Sequence, residues 1–263
     1  MESTPWRIAV WAGKAILYAA VALLLFLLAF TLWKLNYGVI VQRFGQLLGG
    51  TALTVQLVAV SVVLGFFIAL PMAMMRVSAD SRLRYTAYGF IFFFRGTPLL
   101  VQMFFIYYGL AQLEIVRASF LWPVFKEAYW CALIAFTLNT GAYSAEILRG
   151  AIQAVPAGEI EAARAIGMSR ALAYRRVILP RAFRIALPAY GNEIILMVKG
   201  SALASTITLL DLTGMARTII ARTYMPVEIF LAAGLIYMVL TFAFIQAWTH
   251  IEKRANRYLT ARG

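Results

Sequence analysis

Cysteine and histidine each occur once in this 263-residue chain, at Cys131 and His250. One cysteine excludes a disulfide framework, and the two together leave a Cys/His metal site short of ligands. An enzyme would need a nucleophile with its base, or a metal centre. Here Cys131 lies inside one apolar run and reads as a small buried residue, and His250 closes another as an interfacial side chain. Charge is also scarce. Charged residues make up 13% of the chain and hydrophobic ones 63%, where a soluble domain is roughly a quarter charged and half apolar. Acidic residues are the rarest, 11 against 24 Lys and Arg, for a net charge of +13. No G-x-x-x-x-G-K-[ST] phosphate loop occurs, so a nucleotide would have to bind elsewhere. There is no convincing internal repeat and no low-complexity tract.

Long apolar runs fill the space that charge leaves. A helix needs about 20 mostly apolar residues to cross about 30 Å of hydrocarbon. Six segments qualify: Ala15–Trp33, Thr51–Met75, Thr86–Leu113, Tyr129–Leu148, Ile185–Thr208 and Val227–Thr249. Lipid offers the backbone no hydrogen-bond partners, which selects helices. The short alternation of a membrane barrel is missing. The expected fold is all-α, a polytopic membrane helix bundle with six spans. The first segment is longer than a signal-peptide core of about 7–15 residues and is followed by Lys34-Leu35-Asn36. It reads as a retained helix.

The basic residues fall mostly between the runs, which fits membrane topology better than nucleic-acid binding. With the N-terminus placed in the cytoplasm, sixteen Lys and Arg lie on the cytoplasmic side and six outside, and Arg95 and Lys199 lie within spans. The positive-inside rule then predicts N-in and C-in. Pro71, Pro98 and Pro188 each fall within a span and can kink it. Gly45 and Gly49 have the GxxxG spacing of packed helices, just ahead of the second span.

The longest connection, Gly150–Arg184, predicts two short helices. Pro156 suits the first turn of one, and Glu159 and Glu161 sit near its positive end. Gly167 suits the left-handed residue that ends it. Ser169 caps the next helix, Arg175 and Arg176 lie near that helix's negative end, and Pro180 is expected to stop it. Ala162, Ala163 and Ala165 form helix with almost no bulk. The hairpin is either a solvated surface element or a docking element, and physical chemistry alone leaves the two about even.

Arg95, Glu193 and Lys199 stand well inside spans. Each must pair, face water or lie near an interface, because a lone charge at mid-bilayer costs at least about 2.5–3.5 kcal/mol. Structural pairing is one reading. The other is recognition of a zwitterion: a planar guanidinium fits a carboxylate, and a carboxylate fits an ammonium. Arg95 beside Gly96, Thr97 and Pro98 is expected at a helix break that lines a cavity. Glu193 and Lys199 are six apart and do not share a face. Glu146 and Arg149, three apart, read as a local ion pair. Asn139 and Asn192 read as interhelical hydrogen-bonding groups.

Four motifs carry a resemblance. Glu161-Ala162-Ala163, Gly167 and Val177-Ile178-Leu179-Pro180 resemble the EAA motif of bacterial ABC transporter permeases, with Val177 where Ile is usual. Phe94-Arg95-Gly96-Thr97-Pro98-Leu99-Leu100-Val101-Gln102 resembles a block of the polar amino-acid permeases. Asn139-Thr140-Gly141-Ala142-Tyr143-Ser144-Ala145-Glu146-Ile147 resembles their next block. Asn192-Glu193 with Lys199-Gly200-Ser201-Ala202-Leu203 resembles a third. The likeness runs from about Gly49 to the C-terminus and is strongest to the histidine/lysine/arginine/ornithine and opine branch, where Gly158–Ala165 and Arg184–Tyr190 add to it.

The resemblance implies a transporter subunit in the bacterial inner (cytoplasmic) membrane, not an enzyme. A five-span type I importer core would occupy 45–263, with an extra N-terminal transmembrane helix and external linker at 1–44 devoted to packing or lipid anchoring. The loop at about 150–184 would be the coupling helix, docking an ATPase through Gly158, Glu161, Ala162, Ala163, Gly167, Leu179 and Pro180. Arg95, Gly96, Thr97, Pro98, Asn192, Glu193 and Lys199 would be translocation candidates. No cofactor is expected on this chain, and ATP and Mg would sit on the partner subunits. The implied partners are two ATPase subunits, a second permease that is a homologue or a copy of itself, and an extracytoplasmic amino-acid-binding protein. The alternative is a stand-alone secondary transporter or channel, which would leave the EAA-like loop without a partner.

Overall fold

The computed structural model describes residues 4–260, and these are helical with no strand among them. The first helix, α1 (Thr4–Lys34), has no extensive contact with another element among the described residues. Its side chains from Gly13 to Leu23 are all exposed. The chain turns at Asn36, whose side chain accepts from the Gly38 amide, into α2 (Tyr37–Arg76). Forty residues at 1.5 Å each give about 60 Å, twice the hydrocarbon thickness. The segment expected to precede the second span is therefore part of the same helix. The Gly45–Gly49 spacing does not make a helix contact, since a Cβ at either position meets nothing within 4 Å. The close approach is at Gly50, where a Cβ would stand 2.8 Å from the Asp211 carbonyl oxygen.

Helix α3 (Ser81–Gly96) opens at Asp80, whose carboxylate accepts from the Arg82 amide at 2.8 Å. It meets the helical segment Leu99–Gln112, which opens with α4 (Leu99–Phe104), at 101°. The expected third span is therefore a broken helix rather than a straight one. A π turn (Phe105–Gly109), a 3-10 turn (Leu110–Gln112) and two single-turn helices, α5 (Glu114–Arg117) and α6 (Trp122–Phe125), lead to α7 (Ala128–Gln153). The loop at 150–184 supplies α8 (Ala157–Ala165) and α9 (Arg170–Ala173). The last spans are α10 (Leu179–Gly200), continued as a 3-10 turn (Ser201–Ile207), then α11 (Leu212–Thr223) and α12 (Pro226–Thr260). Among the described residues three helices, α2, α7 and α12, are long and apolar enough to cross a membrane singly, and the number rises to five if each of the two bent pairs is one span.

Pro180 does not stop the second loop helix as expected. The chain passes from α9 through a π turn at Tyr174–Ile178 directly into α10, with Pro180 in its first turn. The Leu179 amide bonds to the Tyr174 carbonyl, five residues back. Proline at 180 has no N–H to continue that ladder, so one bond is skipped there. The widened turn takes up the ring that would crowd a regular helix.

The centre of the bundle is the crossing of α2 and α7. A Cβ on Gly65 would overlap the Thr140 side chain and lie 3.2 Å from the Thr137 carbonyl oxygen; a Cβ on Gly141 would lie 3.3 Å from the Gly65 carbonyl. Around this crossing Leu57, Met103, Phe136 and Ile207 are fully buried. Overfilled cores lose about 1–3 kcal/mol, and here the backbones themselves are in the way. Gly65→Leu is thus expected to lower the unfolding midpoint of the purified protein by several degrees, whereas Gly45→Leu, on an open face, should leave it within error.

Candidate functional site

The break between α3 and α4 makes the site. Thr97 is extended (φ −112°, ψ 143°), and Pro98 then starts α4 without a donor of its own. Carbonyls freed at such a break need partners. Gln102, 5% exposed, supplies them: its amide nitrogen lies 2.8 Å from the Phe94 carbonyl oxygen and 3.0 Å from that of Thr97. Asn139 on α7 donates to the Gln102 side-chain oxygen at 3.1 Å. Asn139 is therefore the interhelical hydrogen-bonding group it was expected to be. Gln102 was not singled out from the sequence, although a glutamine in so apolar a run, four residues after a proline, was a signal.

Beside this break lies a cavity of about 440 Å³ lined by Arg95, Gly96, Thr97, Pro98, Asn139, Tyr143 and Glu193, with apolar walls from Leu99, Leu196 and Met197. Five of the seven translocation candidates thus come together from two distant segments. Asn192 and Lys199 do not join them: both are exposed side chains on α10 that do not line the cavity. Glu193, in contrast, is 7% exposed, and no hydrogen bond or ion pair holds its carboxylate among the described residues. The Arg95 guanidinium stands 5.1 Å over the Tyr143 ring. The cavity therefore presents a guanidinium and a carboxylate, neither tied down by the other.

A second cavity of about 290 Å³ shares Arg95, Gly96 and Tyr143 with the first and adds Arg76, Tyr88 and Glu146. The ion pair read from the sequence is present: Arg149 Nε donates to Glu146 Oε1 at 2.9 Å. A third cavity, about 380 Å³, shares Arg76 and reaches Ile160, Tyr174 and Ile178 in the loop region.

In that loop the left-handed glycine is real. Gly167 has φ +78°, its amide bonds to the Arg164 carbonyl at 2.9 Å, and that of Met168 to the Ala163 carbonyl at 3.1 Å. Ser169 accepts from the Leu172 amide, as a cap should. On α8, Gly158, Glu161, Ala162 and Ala165 follow the i, i+3, i+4, i+7 spacing of one helix face, and all four are exposed. Ala163 is on the other side, 3% exposed, while Leu179 is half-buried and Pro180 exposed. The inner side is held by an ion pair that the sequence did not suggest, Glu159 with Arg181 at 3.3 Å. Ile166, 73% exposed at the end of α8, extends the open face with an apolar side chain.

Known proteins resemble this chain. The octopine transport system permease protein of Rhizobium meliloti is 52% identical over 211 residues, covering 80% of this chain and 86% of its own. The histidine/lysine/arginine/ornithine transport system permease protein of Escherichia coli is 47% identical over 206 residues, covering 78% and 87%. An amino acid ABC transporter crystallised with histidines superposes with a TM-score of 0.76 at 36% identity, over 84% of this chain and 99% of that one. The family described as binding-protein-dependent transport system inner membrane component matches residues 61–257, a stretch that holds the helix break, the cavities and the loop, so this chain belongs to that family.

Proposed function

We propose that this chain is the permease subunit of an ATP-driven amino-acid importer, and that its cargo is basic amino acids or their opine relatives. The observation that carries this is the 440 Å³ cavity, with the Arg95 guanidinium and the unpaired Glu193 carboxylate on its walls. An α-carboxylate and an α-ammonium are the complementary pair. The two relatives named for octopine and for histidine, lysine, arginine and ornithine support the basic class. Transport proceeds by alternating access. The open face of α8 docks one of two ATPase subunits, which hold the ATP and Mg, and a second permease completes the pathway. A binding protein delivers cargo from outside. The 16-to-6 Lys and Arg distribution supports a cytoplasmic loop and cytoplasmic termini. The transport unit takes in 45–263 and the first turns of α2, whose Val39 and Ile40 pack on the core, and the helix before them, Thr4–Lys34, is the addition to it.

Purification of the complex tests this reading. ATPase subunits are expected to co-purify, and hydrolysis in nanodiscs should rise several-fold with binding protein loaded with arginine or lysine but not with leucine. A chain that purifies alone and still transports would be a secondary transporter or channel, and the open face of α8 would then have nothing to dock.

A further inference from the structure

We infer that the 290 Å³ cavity below Arg95 is a second binding site, built to hold the carboxylate of the cargo on its way inward. This rests on the reading of the 440 Å³ cavity as the first site. The argument is one of charge. The smaller cavity is lined by Arg76, Arg95 and Glu146 among the rings of Tyr88 and Tyr143. Glu146 is already engaged by Arg149. Arg76 and Arg95 are close enough to act on that carboxylate electrostatically, yet neither forms an ion pair among the described residues. Two guanidiniums therefore face this space without an acid of their own, and the ligand they select is an anion.

Arg76 adds the more specific observation. Its guanidinium lies 5.0 Å over the Tyr88 ring, and its Nε is buried with no hydrogen-bond partner among the described residues. A buried donor left without an acceptor is unfavourable, and natural structures rarely keep one without a use. A guanidinium fixed on an aromatic face presents its remaining donors as a planar fork, the geometry that takes both oxygens of a carboxylate. Arg95 lines both cavities. It can keep hold of a carboxylate while the second oxygen changes partner, so the cargo need not be released between the two sites. Beyond Arg76 the third cavity continues to Tyr174 and Ile178 beside the loop.

Single cysteines report each site in a Cys131→Ala background. Leu196→Cys reports the first cavity, and Phe92→Cys, on the wall of the second, reports the other. The permease–ATPase complex in nanodiscs is labelled with N-ethylmaleimide in the presence of L-arginine or of agmatine, which has the same guanidinium tail and no carboxylate. L-arginine is expected to slow labelling at both positions, and agmatine should not slow it at Phe92→Cys. Adding Arg76→Gln should weaken protection at Phe92→Cys about tenfold and leave Leu196→Cys protected. Arg76→Lys, which keeps the charge without the fork, should fall between, and it carries the decision if Arg76→Gln does not assemble. Protection at Leu196→Cys alone overturns the second site and leaves the first standing. No protection at either position overturns both. Full protection in both Arg76 variants, or equal loss at the two positions, also overturns the second site.

Discussion

Gly167→Val is expected to reduce uptake tenfold or more while the chain still inserts and its spans stay folded. The residue sits at φ +78°, where a β-branched side chain is strongly disfavoured, and a Cβ there would meet nothing within 4 Å. The effect therefore comes from the backbone alone and not from a clash. Holding valine in that conformation costs of order 1–3 kcal/mol, and the chain avoids it by re-orienting the turn. Two hydrogen bonds close that turn, from Gly167 to Arg164 and from Met168 to Ala163. Losing them changes the angle between α8 and the segment that leads through the π turn into α10. The bundle core lies elsewhere, so its thermal unfolding should hardly change. The open face of α8 would point the wrong way, and either the ATPase detaches or it hydrolyses ATP without uptake. Gly167→Asn, which tolerates positive φ, should recover most of the uptake. Normal uptake and normal ATPase co-purification by the valine variant would remove α8 and its turn from the coupling role.

The sequence made the bundle and the loop legible for different reasons. Apolar length is a strong signal because the bilayer thickness is fixed, so six runs could be found, but only one end of each lies within a turn of the observed helix end, because helices such as α2 and α12 run on past the apolar stretch. Gly167 and Ser169 were legible because left-handed backbone and helix caps admit few residue types. Pro180 was misread because a proline ends a helix or begins one, and the choice depends on the π turn before it, which leaves no pattern in residue type. The Gly45–Gly49 spacing was misread because small residues make close contact possible without requiring it, and the actual contact at Gly50 depends on where the Asp211 loop returns. The cavity was half-legible. Arg95 and Glu193 stand out as charges in apolar runs, and the six-residue spacing already sets Lys199 on another face, but that Arg95 and Glu193 share one space depends on how α3 and α10 pack. The small cavity below them was not legible, since Arg76 ends its helix where an ordinary interfacial arginine would also sit.

Glu193→Gln is the sharper test of the cavity, because the structural and functional readings predict opposite pairs of results. The side chain is 7% exposed, and no hydrogen bond or ion pair satisfies it among the described residues. A buried carboxylate in that position is a burden on folding, and glutamine keeps its shape while removing the charge. If the carboxylate serves the cargo, the variant should be as stable as the parent or more so, and uptake should fall. Residues retained for function at the expense of stability behave in this way. The size follows from the contact removed: a hydrogen bond from an ammonium to a carboxylate contributes about 1.5–3 kcal/mol more than no bond, which corresponds to a loss of roughly 10- to 100-fold. The half-saturating concentration of loaded binding protein should not move, since delivery happens before the cargo reaches α10. If Glu193 instead serves to balance Arg95 within the bundle, the glutamine variant leaves that guanidinium without a counter-charge, so the unfolding midpoint should drop while the surviving complexes transport at the parent rate. Thermal unfolding and uptake measured on the same preparation therefore separate the two, and lowered stability with undiminished uptake would take Glu193 out of the translocation site.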